Sequence, residues 1–512
     1  MKKVDRKIIV MGIIWLVVCS CNAWSSVSAA VRLPKVIGDN MVLQCDKPLA
    51  LWGWAEKGEN VSVIFDGQTV ATTTDEAGKW TVKLEPLKAN AEPAQMVIEG
   101  TNKIVIVNIL VGEVWLCSGQ SNMEHSLKDV KNGYKEKMEA KYNEIRFFSV
   151  EKANSPEPLD DVQALWQECT PRTASSFSAV GYFFGRYLHR ELDVPVGLIF
   201  SAYGGTLIEP WIPLVGYESV AELSDIANKV HNAKRDYNEQ MAVKIDSVDQ
   251  WVNDARVAIA SAKPIPRLPS IPRHPLDYFQ KPTVLYNSMI HGIVPFAIRG
   301  VIWYQGESNV DNHETLYSEK MKALITGWRQ VWDDNDLSFY YVQLAPYFKY
   351  SGEKLARIWE AQMSALTIPK TGMVVTTDIG DFWNIHPKNK QVVGKRLALW
   401  ALAQDYGKKD VVYSGPLYKE MKIRDQQIVL YFDHVGGGLV ALDGKDLCCF
   451  SIAGEDKRFV PAKAVVAGNT VEVSSEQVLS PVAVRLGWMN DAKPNLGNKD
   501  GLPASPFRTD KW

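Results

Sequence analysis

The sequence predicts an α/β chain, a doubly wound parallel sheet with a β-rich module before it and another after it. Three observations carry this. Between about Gly112 and Gly407, nearly continuous apolar runs alternate with helical stretches, the pattern of parallel strands covered on both faces. On either side of that region, short runs alternate apolar and polar residues and are separated by Gly, Asn and Asp turns. The residues able to do chemistry fall just after the apolar runs, at the carboxyl ends where open parallel sheets keep their sites.

In chain order, Met1 to Ala30 reads as a secretory signal, with a basic start at Lys2, Lys3, Arg6 and Lys7, an apolar run from Ile8 to Cys19, and small residues after it. Val27-Ser28-Ala29 suits cleavage near Ala29 or Ala30. Val18-Cys19-Ser20-Cys21 is an imperfect lipoprotein box that would instead place a lipid on Cys21. The apolar run is short for a bilayer span, and no later stretch reaches about 18 apolar residues. A secreted or periplasmic protein, soluble or lipid-anchored and without a transmembrane segment, is expected.

Residues 31–111 read as a small sandwich. Val61-Ser-Val-Ile-Phe65, Trp80-Thr-Val-Lys-Leu84 and Lys103-Ile-Val-Ile-Val-Asn108 are its strands, divided by Asp66-Gly67, Ala77-Gly78 and Gly100-Thr-Asn102, with Leu51-Trp-Gly-Trp54 expected in its core. Residues 112–409 form the α/β domain. Its central strands are expected at Val114–Cys117, Val196–Phe200, Val301–Tyr304, Phe339–Leu344 and Met373–Thr377, and a helix carrying Val393, Leu397 and Trp400 on one face closes it. A charged helical segment and a proline-rich tether, about 215–282, read as an insertion. Residues 410–512 return to β, with strands at Ile428–Phe432, Ala464–Val466 and Val471–Val473.

Composition excludes several function classes. A length of 512 residues allows roughly two to four domains. The formal charge of −2 gives no electrostatic case for nucleic acid. Outside the signal region the cysteines are Cys45, Cys117, Cys169, Cys448 and Cys449, an odd set without metal-ligand spacing. Neither a disulfide framework, a metal site nor a cofactor is indicated, and the vicinal Cys448-Cys449 pair reads as buried free thiols.

The chemistry centres on Val114-Trp-Leu-Cys-Ser-Gly-Gln-Ser-Asn-Met123. An apolar strand there runs into a small-polar turn and then a helix start, presenting the Ser121 hydroxyl beside backbone N–H groups that point at any oxyanion formed there. Three later strands end in Tyr203-Gly-Gly-Thr206 with Glu209-Pro-Trp211, in Gln305-Gly-Glu-Ser-Asn309, and in Asp378-Ile-Gly-Asp381 followed by His386. A serine nucleophile needs a histidine to carry its proton. Of the eight histidines, His386 alone follows the final strand of this domain and precedes the closing helix, with His313 the next choice.

Together, Gly119-Gln-Ser-Asn-Met123, Gly204-Gly-Thr206 with Glu209 and Trp211, Trp303-Tyr-Gln-Gly-Glu-Ser-Asn309 and Asn384-Ile-His-Pro387 resemble the sialate O-acetylesterase family of the SGNH hydrolases. The likeness runs in order from about Val31 to Arg485-Leu-Gly-Trp488 and Gly501–Phe507. It implies an SGNH-hydrolase-like fold and a secreted, cofactor-free serine esterase that removes O-acetyl groups from sialic acid or related sugars. It also implies an oxyanion hole of the Ser121 N–H, an N–H of Gly204 or Gly205, and the Asn309 amide.

Gln120, Gln305, Glu307 and Trp211 are candidates for binding substrate, Gln305 and Glu307 alternatively for holding their loop. The wider SGNH pattern places an aspartate three residues before the histidine, where this chain has Trp383. The orienting acid is then Asp381 or Asp378, Asp381 preferred, or the site is a Ser-His dyad. Two other functions stay open: an acetylxylan-type esterase, and a non-catalytic carbohydrate-binding protein using some of the 17 tryptophans.

Overall fold

The computed structural model describes residues 30–310 and 316–512. The signal region with Cys19 and Cys21, and the segment 311–315 with His313, lie outside the described residues. The chain forms two compact units, one of residues up to 33 with 52–82 and 96–105, the other of residues 34–51, 83–95 and 106–512.

In the first unit Asn60–Phe65 pairs antiparallel with Gln68–Thr73, and Ser62–Ile64 pairs with Val97–Glu99. Asp66 and Gly67 have φ of 48° and 74°, the left-handed pair that a two-residue hairpin turn requires. Trp80 is buried. Trp52 and Trp54 are only half-buried, because strand alternation turns Gly53 and Ala55 inward instead, and a Cβ on Gly53 would stand 2.9 Å from the Trp80 ring.

The second unit holds the sheet on which the site is built. Its strands are β1 (Lys103–Gly119, of which residues 106–119 belong to this unit), β2 (Tyr142–Ser149), β3 (Trp166–Cys169), β4 (Val196–Ala202), β5 (Gly300–Tyr304), β6 (Ser338–Val342) and β7 (Thr371–Val374). They lie in the order β7-β6-β5-β1-β4-β2-β3. All neighbours are parallel except the edge pair β2 and β3. The chain leaves β1 toward β4 on one side and later returns to β5 on the other. The topological switch point is therefore the carboxyl end of β1, the place such sheets reserve for ligands. The expected runs Val114–Cys117, Val196–Phe200 and Val301–Tyr304 lie within these strands, whereas Phe339–Leu344 and Met373–Thr377 begin on β6 and β7 and run past their ends at Val342 and Val374. The edge pair escaped the sequence reading because charged and amide residues interrupt Tyr142–Ser149 and Trp166–Cys169.

The expected closing helix is Lys390–Gln404, with Val393, Leu397 and Trp400 buried. The insertion opens with the short helix Leu214–Glu218, continues as a helix of 37 residues, Ser224–Ala260, and is followed by irregular chain through the prolines. Beyond residue 410 two antiparallel sheets of four strands share a core of Ile428, Leu430, Ile452, Val471, Val484 and Phe507. Cys448 is exposed rather than buried, with its sulfur 3.5 Å from that of Cys449, and Cys45, Cys117 and Cys169 are buried free thiols.

A buried ion pair fastens β1, within its length, to the residue that precedes β5. Glu113 on β1 accepts from Arg299 Nε at 2.8 Å and Nη2 at 3.0 Å. The Tyr406 hydroxyl and the Gln44 amide donate to the same carboxylate at 2.9 and 3.0 Å. The Arg299 N–H continues the ladder onto the Val114 carbonyl at 2.7 Å. Removing one partner of such a pair leaves a buried charge uncompensated, which costs about 3–5 kcal/mol. Glu113→Ala should lower the unfolding free energy by about that amount in urea titrations. A loss under about 1 kcal/mol would contradict the assignment.

Candidate active site

β1 ends at Gly119, and the chain turns directly into the short helix Ser121–Glu124. The corner requires glycine, since Gly119 has φ of 137° and a Cβ there would stand 2.2 Å from the Tyr304 carbonyl oxygen at the end of β5. Gln120 closes the corner. Its N–H donates to the Tyr304 carbonyl at 2.9 Å, and its side-chain oxygen accepts from the Gly306 and Ser308 N–H groups at 3.3 and 3.4 Å. Ser121 becomes the first helical residue, half-buried, and its N–H is an orphan donor of the helix start without an acceptor among the described residues.

His386 Nε2 lies 2.9 Å from Ser121 Oγ. The imidazole is half-buried, and burial, then Lys390 and Lys388, pull its pKa below the ordinary 6.5 against an opposing pull from Glu124. His125 packs edge-on to it with ring centroids 5.4 Å apart. Burial and the same lysines hold His125 down to about 4. Both rings are therefore neutral at pH 7, the state in which His386 Nε2 can accept a proton from a hydroxyl 2.9 Å away.

The expected contact between the Asp381 carboxylate and His386 is not formed. Asp381 is exposed, and its Oδ1 accepts from the Trp383 N–H at 3.1 Å, which commits the carboxylate to closing its own turn. Asp378 is bound by Arg396 through bonds of 2.8 and 2.6 Å. His386 Nδ1 has no partner among the described residues. What holds the histidine is main chain. Its N–H donates to Asn384 Oδ1 at 2.9 Å, and the preceding Ile385 carbonyl accepts from Asn122 Nδ2 at 2.9 Å.

Asn122 is the hub of a buried cluster that sequence reasoning missed. Its amide also donates to Glu307, and its oxygen accepts from Lys390 Nζ. Lys390 is fully buried, with its ammonium 4.8 Å from the centre of the Tyr304 ring. Burial brings its pKa down to about 7, with Glu307 opposing and Lys388 assisting. Burial pushes the Glu307 carboxyl up, and its Oε2 has no partner among the described residues. One signal was legible: Lys390 opens a helix, where the macrodipole disfavours a cation.

The remaining candidates divide by exposure. Gly204 lies against Ser121, since a Cβ on it would come within 3.3 Å of Ser121 Cβ, and its N–H is taken by Glu124 Oε2 at 2.7 Å. The Gly205 N–H, on a residue with φ of 77°, has no acceptor among the described residues. Asn309 is fully buried, with its amide donating to Glu209 at 3.1 Å and its oxygen accepting from Gln305 at 2.7 Å and the Ile208 N–H at 3.1 Å. Gln305 is equally buried and takes the Tyr317 hydroxyl at 2.9 Å. Trp211 is fully buried, edge-on to Trp303, with its indole N–H on Thr206 at 3.0 Å, so it offers no face to a ligand. Gln120, Gln305, Asn309 and Trp211 thus build the loops beneath the site, and of the expected set Ser121 and His386 are brought into contact at it.

A family model described as carbohydrate esterase, sialic acid-specific acetylesterase, matches residues 111–245 and 274–403, and so spans the sheet while skipping the end of the insertion. Sialate O-acetylesterase of Rattus norvegicus is 31% identical over 78% of this chain and 79% of its own length. The Homo sapiens protein of that name is 29% identical over 97% of this chain and 96% of its own. A crystal structure of a carbohydrate acetylesterase from Xanthomonas citri superposes with a TM-score of 0.80 at 35% identity, covering 94% of this chain and 100% of that one.

The electrostatics give a direct test. Resolved imidazole NMR titrations should place the His125 midpoint near 4 and the His386 midpoint below 6.5. Lys388→Ala removes a cation that disfavours both imidazolium forms, so both midpoints should rise. A His386 midpoint at or above 6.5 in the unaltered protein, or a fall in the variant, would contradict the charge environment described.

Proposed function

The chain belongs to the sialic acid-specific acetylesterase family of carbohydrate esterases, and from that premise we propose that it is a serine esterase removing O-acetyl groups from sialic acid or related sugars through an acetyl-enzyme. As a member it is a carboxylic ester hydrolase. The reading of a non-catalytic carbohydrate-binding protein gives way to this.

The observation that carries the mechanism is the 2.9 Å contact between Ser121 Oγ and a neutral His386 Nε2. Ser121 Oγ attacks the acetyl carbonyl carbon while His386 Nε2 takes its proton. The oxyanion is held by the Ser121 and Gly205 N–H groups, neither of which has an acceptor among the described residues. Collapse breaks the bond to the sugar oxygen, which leaves with the proton from His386. Water then attacks acetyl-Ser121, His386 takes a proton from that water and returns one to Ser121, and acetate departs. No carboxylate acts in this scheme. The imidazole is oriented by its own loop, through Asn384 and Asn122, and Asn309 holds the neighbouring loop rather than the oxyanion.

We place the reaction outside the cytoplasm, on the strength of the basic-apolar-small pattern of residues 1–30. The β-rich stretches 31–111 and 410–512 are proposed as flanking modules of the α/β domain.

Steady-state kinetics test the scheme. Ser121→Ala and His386→Ala should each lower kcat/KM by about 10⁴-fold or more, because the two act as a unit. Asp381→Asn retains the oxygen that accepts from Trp383 and should stay within about threefold of the parent. Asn122→Ala, which frees the His386 loop, should lower kcat by about 10²-fold, the loss that a misplacement of about 1 Å causes. A crippled Asp381→Asn beside an active Asn122→Ala would restore the aspartate to the mechanism. An acetyl-release screen of O-acetylated sialic acid beside acetylated xylan decides the sugar, and preference for xylan would overturn the sialic acid assignment.

A further inference from the structure

Three residues before His386 stands Trp383, 73% exposed, the most exposed of the large hydrophobic side chains among the described residues. Apolar ring surface left in water and grouped with other rings marks an interaction site. The ring is not isolated. Its centroid lies 5.0 Å from that of Phe348, itself 37% exposed, and 5.1 Å from that of Phe382, and the two phenylalanine rings are 6.1 Å apart. The Phe348 N–H donates to the Phe382 carbonyl at 2.9 Å, which ties the two supporting segments together.

The same turn carries both this aromatic cluster and the histidine. Asp381 Oδ1 accepts from the Trp383 N–H, the Asn384 N–H donates to the Asp381 carbonyl at 3.0 Å, and Asn384 Oδ1 accepts from the His386 N–H at 2.9 Å. Trp383 is thereby held in fixed relation to the imidazole rather than left on a free loop. The turn gives a reason for Asp381 that needs no proton transfer.

We propose that Trp383, backed by Phe348 and Phe382, is a substrate-binding platform on which a pyranose ring of the acetylated glycan stacks while its acetyl ester lies at Ser121. The proposal rests on the esterase reading above. A pyranose presents an apolar face of C–H bonds with its hydroxyls at the rim, so it can cover an aromatic ring while its polar groups stay in water. The platform would act on the sugar rather than on the acetyl group and set which sugar esters are preferred. It replaces, as the aromatic partner of the substrate, the buried Trp211.

Two measurements test it, one of them independent of turnover. In the inactive Ser121→Ala background, calorimetric titration with N-acetylneuraminic acid and with a xylo-oligosaccharide should show binding of at least one sugar, weakened about tenfold or more by adding Trp383→Ala and largely kept by Trp383→Phe. In the active enzyme, Trp383→Ala should raise KM for the acetylated sugar about tenfold with kcat within about threefold, and should lower the preference for the sugar ester over ethyl acetate by a similar factor. Equal sugar affinity with and without Trp383 would overturn the platform, as would a defect confined to kcat. Conversion of a dimer to a monomer by Trp383→Ala, with sugar affinity unchanged, would assign the cluster to self-association instead. If the parent enzyme cleaves neither ester, the esterase reading fails, and the titration still decides the platform.

Discussion

The hydrogen bond from Asn122 Nδ2 to the Ile385 carbonyl, 2.9 Å long, joins the residue after Ser121 to the residue before His386. These two segments are 263 residues apart in sequence, brought in from the ends of different strands. A bond between a buried amide and a main-chain carbonyl fixes their separation more tightly than a contact through two flexible side chains would. The amide is itself held by Lys390 and Glu307, both removed from water. Breaking this cluster would expose or strand buried polar groups, so the arrangement is costly to distort. The 2.9 Å contact between Ser121 and His386 is the consequence of that rigidity.

The same cluster sets the electrostatics. Lys388 and Lys390 stand close to two imidazoles and, with burial, keep both neutral. Their presence is the opposite of the arrangement in which a carboxylate stabilises the imidazolium. In the proposed mechanism a histidine in this field would release its proton readily to a departing sugar oxygen, and would receive less help in taking one from serine. In the proposed mechanism the N–H groups of Ser121 and Gly205, without acceptors among the described residues, are the natural complement, since they would stabilise the negative charge that appears when the serine attacks.

Much of this was legible in the sequence. The apolar runs at Val114–Cys117, Val196–Phe200 and Val301–Tyr304 announced parallel strands because strands buried on both faces admit few polar residues. Ser121 and His386 were legible because each is a polar residue placed just beyond such a strand or its turn. What sequence could not supply was direction. Gln305, Asn309 and Trp211 sit at strand ends like Ser121 does, yet point inward and hold loops. Asp381 lies near His386 in sequence but spends its carboxylate on the turn it begins. Asn122 and Lys390 were passed over because an asparagine after a serine and a lysine on a helix are ordinary until burial makes them exceptional. Trp383 was noticed only as the absence of an aspartate, and its exposure is what gives it meaning.

The central claim is that Ser121 is a nucleophile activated by His386, and covalent trapping reads it most directly. The enzyme would be treated with an organophosphate such as diisopropyl fluorophosphate, followed by intact-mass measurement and peptide mapping, with His386→Ala carried in parallel. The account predicts one adduct per chain, located on Ser121, formed in step with the loss of esterase activity and strongly slowed in His386→Ala. Loss of activity with the adduct on another residue, or undiminished labelling of Ser121 in His386→Ala, would contradict it.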